Sequence, residues 1–103
     1  MNVRFSRQAR ADLKTIIATI ASENPGAARR FGRLLRDRAL SLGQNPYRGT
    51  PLRRPNGLRR LLVGPYLILY DVAGDRVEVL QIVHGARDLR RVVRERKTER
   101  KSD

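Results

Sequence analysis

The chain of 103 residues contains no cysteine and no tryptophan, only two phenylalanines and a single histidine. Without cysteine there is no disulfide, no thiolate metal site and no sulfur nucleophile, and the redox compartment stays open. A lone histidine with no cysteine or carboxylate cluster argues against a metal centre, and no cofactor is expected. Aromatic residues make up 5% of the chain, so the core is built from Leu, Ile, Val and Ala and is thin. No apolar run approaches the roughly 18 residues that a membrane-spanning helix needs. The opening Met1-Asn2-Val3-Arg4 has no apolar h-region of signal-peptide type. Together these absences lead to the expectation of a cytosolic (cytoplasmic) protein with no membrane partner.

Acidic residues are also scarce. Ten Asp and Glu stand against 23 Lys and Arg, a formal net charge of +13. Between Asp37 and Asp71 there is no carboxylate at all, while Arg38, Arg48, Arg53, Arg54, Arg59 and Arg60 fall inside that stretch. Such an uncompensated field calls for an anionic partner: nucleic acid, an acidic protein or an anionic membrane surface. Composition does not choose among them. The length suits one domain and is too short for two that each bury a core. Its stability is expected at the modest end of the usual range of about 5–15 kcal/mol, raised by any partner that binds only the folded form.

Val3 and Phe5 alternate with Arg4, the pattern of a short first strand over residues 2–6. Ser6 is placed to cap a helix whose apolar residues, Ala9, Leu13, Ile16, Ile17 and Ile20, draw one stripe. That helix is expected to stop near Ser22, because Asn24-Pro25 supplies a new N-cap with proline at the first helical position. The second helix reads Ala27, Ala28, Phe31, Leu34, Leu35, Ala39 and Leu42 on its buried side, with Arg29, Arg30, Arg33 and Arg36 outside. Gly43 stands where a left-handed C-terminal cap belongs. The short link folds the two helices into an antiparallel hairpin.

Pro46, Gly49, Pro51, Pro55 and Gly57 make residues 44–57 a loop, which carries Arg48, Arg53 and Arg54. Strands then follow over 58–63, 66–72 and 77–84, joined at Gly64-Pro65 and Gly74-Asp75, an antiparallel meander. Gly85-Ala86-Arg87-Asp88 breaks the last strand, and Asp88 is set to cap a short helix with Leu89, Val92 and Val93 on one face. No apolar residue follows Glu95, so 1–95 reads as the domain and 96–103 as a charged, flexible tail.

The fold class is therefore α+β: an N-terminal strand and a helix hairpin packed on a small antiparallel sheet, with a short C-terminal helix. Along that plan run Val3-Arg4-Phe5-Ser6 with Ala9, Asp12-Leu13 and Ile16; Asn24-Pro25-Gly26-Ala27-Ala28 with Phe31; and Asn45-Pro46-Tyr47-Arg48-Gly49. Leu58-Arg59, Val63-Gly64-Pro65-Tyr66, Tyr70 and Ile82-Val83-His84-Gly85-Ala86-Arg87-Asp88 complete the series. As an ordered set spanning about residues 3 to 88, these words resemble the RelE/ParE superfamily, the toxins of bacterial type II toxin–antitoxin systems. The resemblance implies a cognate acidic antitoxin that wraps the toxin in a hetero-oligomer, a heterotetramer or larger, and that alone touches operator DNA.

Two branches of that superfamily differ in chemistry. Resemblance to RelE implies ribosome-dependent cleavage of messenger RNA, and resemblance to ParE implies inhibition of DNA gyrase without nuclease activity. Metal-independent RNA cleavage needs a base, an acid and cations around the phosphorane. Arginine serves only the last role, since its pKa exceeds about 12. Proton carriers are few: His84, in phase with Leu80 and Ile82 at a sheet end, and Tyr66 and Tyr70 on the middle strand of the meander. No tyrosine follows Arg87, where several nucleases of the family place one, and the phrase from His84 to Asp88 looks more like ParE.

The expectation is a ParE-like gyrase inhibitor rather than an enzyme. A RelE-like nuclease using Arg59, His84 and Arg87 is the alternative, and a non-specific basic nucleic-acid binder is a third reading. Target- or antitoxin-contacting candidates are Arg48, Arg53, Arg54, Arg59, Tyr66, Tyr70, His84, Arg87, Arg90 and Arg91. Several have a plainer reading beside them. His84 suits a sheet end where it bonds to backbone, and Tyr66 and Tyr70 suit packing, just as the arginines of the second helix, Arg29 to Arg36, suit a solvated face. Arg59 and Arg60 are adjacent in a strand and point to opposite sides, and Arg87 has an anchoring role open to it through Asp88 or Asp71.

Overall fold

Strand β1 (Asn2–Phe5) runs straight into helix α1 (Arg7–Ala21) at Ser6, whose hydroxyl explains both the start of the helix and its placement. Ser6 Oγ accepts the Ala9 N–H at 2.9 Å, satisfying one of the free donors of the first turn. The same hydroxyl donates to the Leu80 carbonyl at 2.7 Å, tying the helix to the far end of the chain. Residues 1–52 and 57–85 are the part of the chain described by the structure, a computed structural model. Helix α2 (Pro25–Ser41) begins as the sequence predicts, with Asn24 Oδ1 accepting the Ala27 N–H at 3.0 Å and Pro25 in the first turn.

The buried stripe of α2 is Ala28, Gly32, Leu35 and Ala39. Leu34, expected among the buried residues, is instead 39% exposed. Each helical step turns about 100°, so a stripe centred on Leu35 swings its neighbour out of the interface. Gly43 also departs from expectation. Its φ is not positive, and its need for glycine is one of space, because a Cβ there would strike the Met1 carbonyl oxygen.

The remaining strands are β2 (Thr50–Pro51), β3 (Leu58–Val63), β4 (Tyr66–Ala73) and β5 (Arg76–His84), and the sheet order is β1-β5-β4-β3-β2. The meander β3-β4-β5 is antiparallel as expected, turning at Gly64 (φ 57°) and Gly74 (φ 63°). A two-residue loop with glycine first has the residue pattern of a type II′ turn, which matches the twist of the flanking strands. β1 adds a parallel pairing, Val3 opposite Val77 and Phe5 opposite Val79, so the sheet is mixed. β2 falls inside the expected loop. It is an edge strand with Pro51 opposite Arg59, a position where the missing N–H costs no ladder bond.

The helices cover one face of this sheet. Ile16, Leu35, Ala39, Leu42, Val63, Ile68, Tyr70, Val77, Val79 and Ile82 form the core there, while Leu67, Leu69 and Val83 form a smaller cluster on the other face. Register slips between β4 and β5: Leu69 pairs with Gln81 and Tyr70 with Val79, which leaves Leu80 as an extra residue. Such a bulge resets the alternation of side chains. Val77 and Val79 before it and Ile82 after it share the main core. The expected phase of His84 with Leu80 is therefore broken.

β1 ends at Phe5, and α1 completes the edge of β5 beyond it. Asp12 Oδ2 accepts the Ile82 N–H at 2.9 Å, and Gln8 Nε2 holds the other carboxylate oxygen at 2.7 Å. Asp12→Ala is expected to cost about 1–3 kcal/mol by leaving that donor unpaired, a fall in Tm of roughly 5–15 °C. Asp12→Asn, which keeps an oxygen, should cost less. Circular dichroism melts of both variants check this, and an Asp12→Ala variant melting with the parent would refute it. Among the described residues, no helix is long and apolar enough to cross a membrane.

Candidate functional site

Arg59 of β3 lies opposite Tyr70 of β4, and both face the loop that follows α2. The Tyr70 side chain is fully buried. Its hydroxyl donates to the Pro46 carbonyl and accepts the Gly49 N–H, both at 2.8 Å. Burial pushes the phenol above its ordinary pKa, against the smaller downward pull of the Gly49 N–H and the Arg59 charge. The loop therefore sits on the strand through one buried side chain. Gly49 is buried here, and a Cβ on it would lie 2.6 Å from the Arg60 carbonyl oxygen.

With the loop held there, Arg59 donates to the Gly49 carbonyl at 2.7 Å. Its guanidinium carbon stands 4.9 Å from the centroid of the Tyr47 ring, a cation–π contact. Tyr47 is 63% exposed, so the pair forms a cationic, aromatic corner on the surface. Pro51, Leu58, Asp71 and Val72 line a hollow of about 340 Å³ beside it. Arg48 is exposed and donates to Ser41 Oγ at 3.0 Å.

His84 lies at the other end of β4, opposite Tyr66. Its ring stands edge-on to Tyr66 at 5.6 Å, and Tyr66 is tilted against Phe31 at 5.7 Å. The expected backbone hydrogen bond is not made by Nδ1, which is buried without a partner among the described residues. Gln8, Asp12, Thr15, Tyr66, Gln81 and His84 border a hollow of about 340 Å³ at this end.

These two ends do not converge. Tyr66 and Tyr70 are four residues apart along β4, about 13 Å, and Arg59 and His84 lie two strand spacings apart across it, about 10 Å. A base and a cation that act on one phosphate must both reach it, and the backbone positions of Arg59 and His84 are set well apart on the sheet. Tyr70 leaves the set of contact candidates as well, because its buried hydroxyl already serves two backbone groups. Arg53, Arg54, Arg87, Arg90 and Arg91, and the expected C-terminal helix and tail, lie outside the described residues.

Arg59 points with Tyr70 to the loop, so Arg60 takes the opposite face, as alternation requires. In the sequence Gly49 reads as a loop breaker and Tyr47 as part of a family word, and neither stands out as a site residue. An aromatic one residue after Pro46 was the available signal for Tyr47. Nothing in spacing pointed to its contact with Arg59, which joins residues 12 apart through the loop's path. Among the described residues, no group of three His, Asp or Glu side chains is placed to hold a metal ion.

The sequence model described as ParE toxin of type II toxin-antitoxin system, parDE, matches residues 3–89. The chain is similar to a structure of the chromosomal ParDE system from P. aeruginosa, with 24% identity and a TM-score of 0.70 over 82% of this chain and 95% of that one. It is similar to the toxin–antitoxin complex RelBE2 from Mycobacterium tuberculosis, with 30% identity and a TM-score of 0.64 over 82% of this chain and 91% of that one. The RelB-RelE complex from Methanococcus jannaschii shares the fold at 19% identity and a TM-score of 0.54, over 90% of this chain and 96% of that one. No curated protein sequence matches the chain. A strand, helix hairpin and meander in this order, matched over residues 3–89, make the chain a member of the ParE toxin family of type II toxin–antitoxin systems.

Proposed function

We propose that the chain is a toxin held inactive by an acidic antitoxin and that, when free, it inhibits DNA gyrase and so DNA replication. The observation that carries this reading is the ParE family match across residues 3–89. The geometry agrees with it, since Arg59 and His84 stand at opposite ends of β4. Of the proton carriers next to Arg59, the Tyr70 phenol is buried and shifted upward, which suits a packing role better than a base near neutral pH, while exposed Tyr47 meets the guanidinium through its ring. A net charge of +13 favours fast association with an acidic polypeptide. The complex is a hetero-oligomer, a heterotetramer or larger, that meets operator DNA through the antitoxin.

Purified chain added to gyrase and relaxed plasmid is expected to abolish supercoiling or to accumulate cleaved DNA, and added antitoxin should reverse the effect. Intact supercoiling at saturating chain would overturn the gyrase reading. The RelE-like alternative, ribosome-dependent cleavage of messenger RNA, draws its support from the likeness to the RelBE2 complex. Primer extension on translated messages during expression separates the two, because gyrase inhibition leaves transcripts whole.

A further inference from the structure

We infer that the hollow beside the Tyr47–Arg59 corner is a binding site for a guanine base, independent of the gyrase and antitoxin readings above. Its volume of about 340 Å³ lies at the small end of ligand sites, about 300–1,000 Å³, and suits one flat ring system. Tyr47 supplies an aromatic wall, still 63% exposed with the Arg59 guanidinium over one face of its ring. Pro51, Leu58 and Val72 add apolar surface.

Two opposite charges border this hollow without neutralising each other. Arg59 and Asp71 both line it, and among the described residues neither forms a salt bridge. Strand register gives the reason. Leu58 lies opposite Asp71 and Arg59 opposite Tyr70, so the two charged side chains leave the sheet on opposite sides and share the space at its open end. Gly57, just before β3, also lines the hollow, and a Cβ on it would lie 3.7 Å from Asp71 Oδ1. The half-buried carboxylate is thus set beside the one lining residue that has no side chain to cover it. Arg59 spends one N–H on the Gly49 carbonyl and keeps others for a ligand.

A cationic ligand would meet Arg59 and an anionic one Asp71, so the hollow calls for a neutral, flat group with donors on one edge and acceptors on another. Guanine has that pattern. Its N1–H and N2 amino group stand side by side and match the two oxygens of a carboxylate, while O6 and N7 accept from an arginine. Adenine and cytosine offer a carboxylate only an exocyclic amino group, and uracil and thymine only a ring N–H. Stacking on an aromatic ring, helped by arginine, is a general way to hold an unpaired base. A free guanine nucleotide and an unpaired guanine in a nucleic acid present the same ring, and the net charge of +13 attracts the phosphates of either.

The test uses the full chain and calorimetry with two kinds of probe: guanosine, adenosine and xanthosine monophosphates, and a thymine pentanucleotide with or without a central guanine. The parent is expected to bind the guanine probe of at least one kind about tenfold or more tighter than its adenine or all-thymine counterpart. Asp71→Asn should weaken guanine binding about tenfold or more. The same variant should come to prefer xanthosine monophosphate, because a carboxamide accepts from N1–H and donates to the xanthine O2, whereas the parent carboxylate faces that oxygen with like charge. Tyr47→Ala should lose about fivefold or more, and Tyr47→Phe and Arg29→Ala should stay within about twofold of the parent. Melting curves accompany each variant, and should Asp71→Asn lose its fold, the contrast between Tyr47→Ala and Tyr47→Phe decides the matter.

Guanine-dependent binding of the monophosphate alone would assign the site to a free nucleotide, and of the pentanucleotide alone to an unpaired base in nucleic acid. Both results support the inference. Equal affinity for guanine probes and their counterparts, or guanine binding that Asp71→Asn leaves unchanged, would mean that the cationic surface holds phosphate without reading a base. Either outcome, or no binding of any probe by the parent, would overturn the site.

Discussion

Gly49→Ala is expected to destabilise the fold by about 3–5 kcal/mol. The new Cβ would lie 2.5 Å from the Tyr70 hydroxyl, 2.6 Å from the Arg60 carbonyl oxygen and 2.7 Å from a Tyr70 ring carbon. Neither a strand carbonyl nor a fully buried ring can retreat, so the loop must lift. Overpacking typically costs about 1–3 kcal/mol. Lifting the loop also removes the hydrogen bonds of the Gly49 N–H to Tyr70 and of Arg59 to the Gly49 carbonyl, worth about 1 kcal/mol each.

Against a stability of about 5–15 kcal/mol that loss is severe, and Tm should fall by roughly 15–25 °C. Gly32→Ala is the control. There the close atoms are Cδ1 and Cγ1 of Ile17 at 2.8 and 3.0 Å, the end of a flexible side chain, and alanine gains about 1 kcal/mol of helix propensity. If both variants melt alike, crowding at Gly49 is not what holds the loop.

Tyr70→Phe is expected to cost about 2 kcal/mol near neutral pH, because the Pro46 carbonyl and the Gly49 N–H both lose a buried partner. Its pH dependence identifies the cause. The folded phenol titrates above its ordinary value because burial disfavours the phenolate. The unfolded chain therefore releases this proton first as pH rises past about 10. Stability due to this group is complete below that pH and drains away as pH climbs through the folded pKa. Removing the hydroxyl removes that part of the alkaline loss, so the gap between Tyr70→Phe and the parent should narrow above about pH 10.

Urea titrations from pH 7 to 11 measure this, and a constant gap would count against burial of the phenol. Combining Tyr70→Phe with Gly49→Ala should cost less than the sum of the two. The hydroxyl is one of the atoms that the alanine methyl strikes, and neighbours that share a contact are not additive.

The functional residues divide in the same way as the structural ones. Arg59 was legible as a candidate because it belongs to a family word and alternates with Arg60 along a strand. That Tyr47 stacks against it was not, since the contact depends on where the loop lands. His84 was legible as a residue at a sheet end. Its failure to join Arg59 follows from strand register, and its departure from the row of Leu80 follows from a bulge that no local pattern announces. Tyr70 stood among the contact candidates, although sharing a face with Ile68 favoured packing. Burial of its hydroxyl between Pro46 and Gly49 decided for the core.

By itself the sequence determined what neighbouring residues settle among themselves. Ser6 and Asn24 start the helices because their side chains reach donors three residues on. Gly64 and Gly74 turn the meander because a positive φ costs glycine little. Arginine excess sets the sign of the partner. Only the tertiary structure decided that β1 lies parallel to β5, that Asp12 completes the β5 edge, and that Gly43 and Gly49 are there for space. Each of these joins residues far apart in the chain. Their energies depend on how the elements pack, and no local preference encodes that distance.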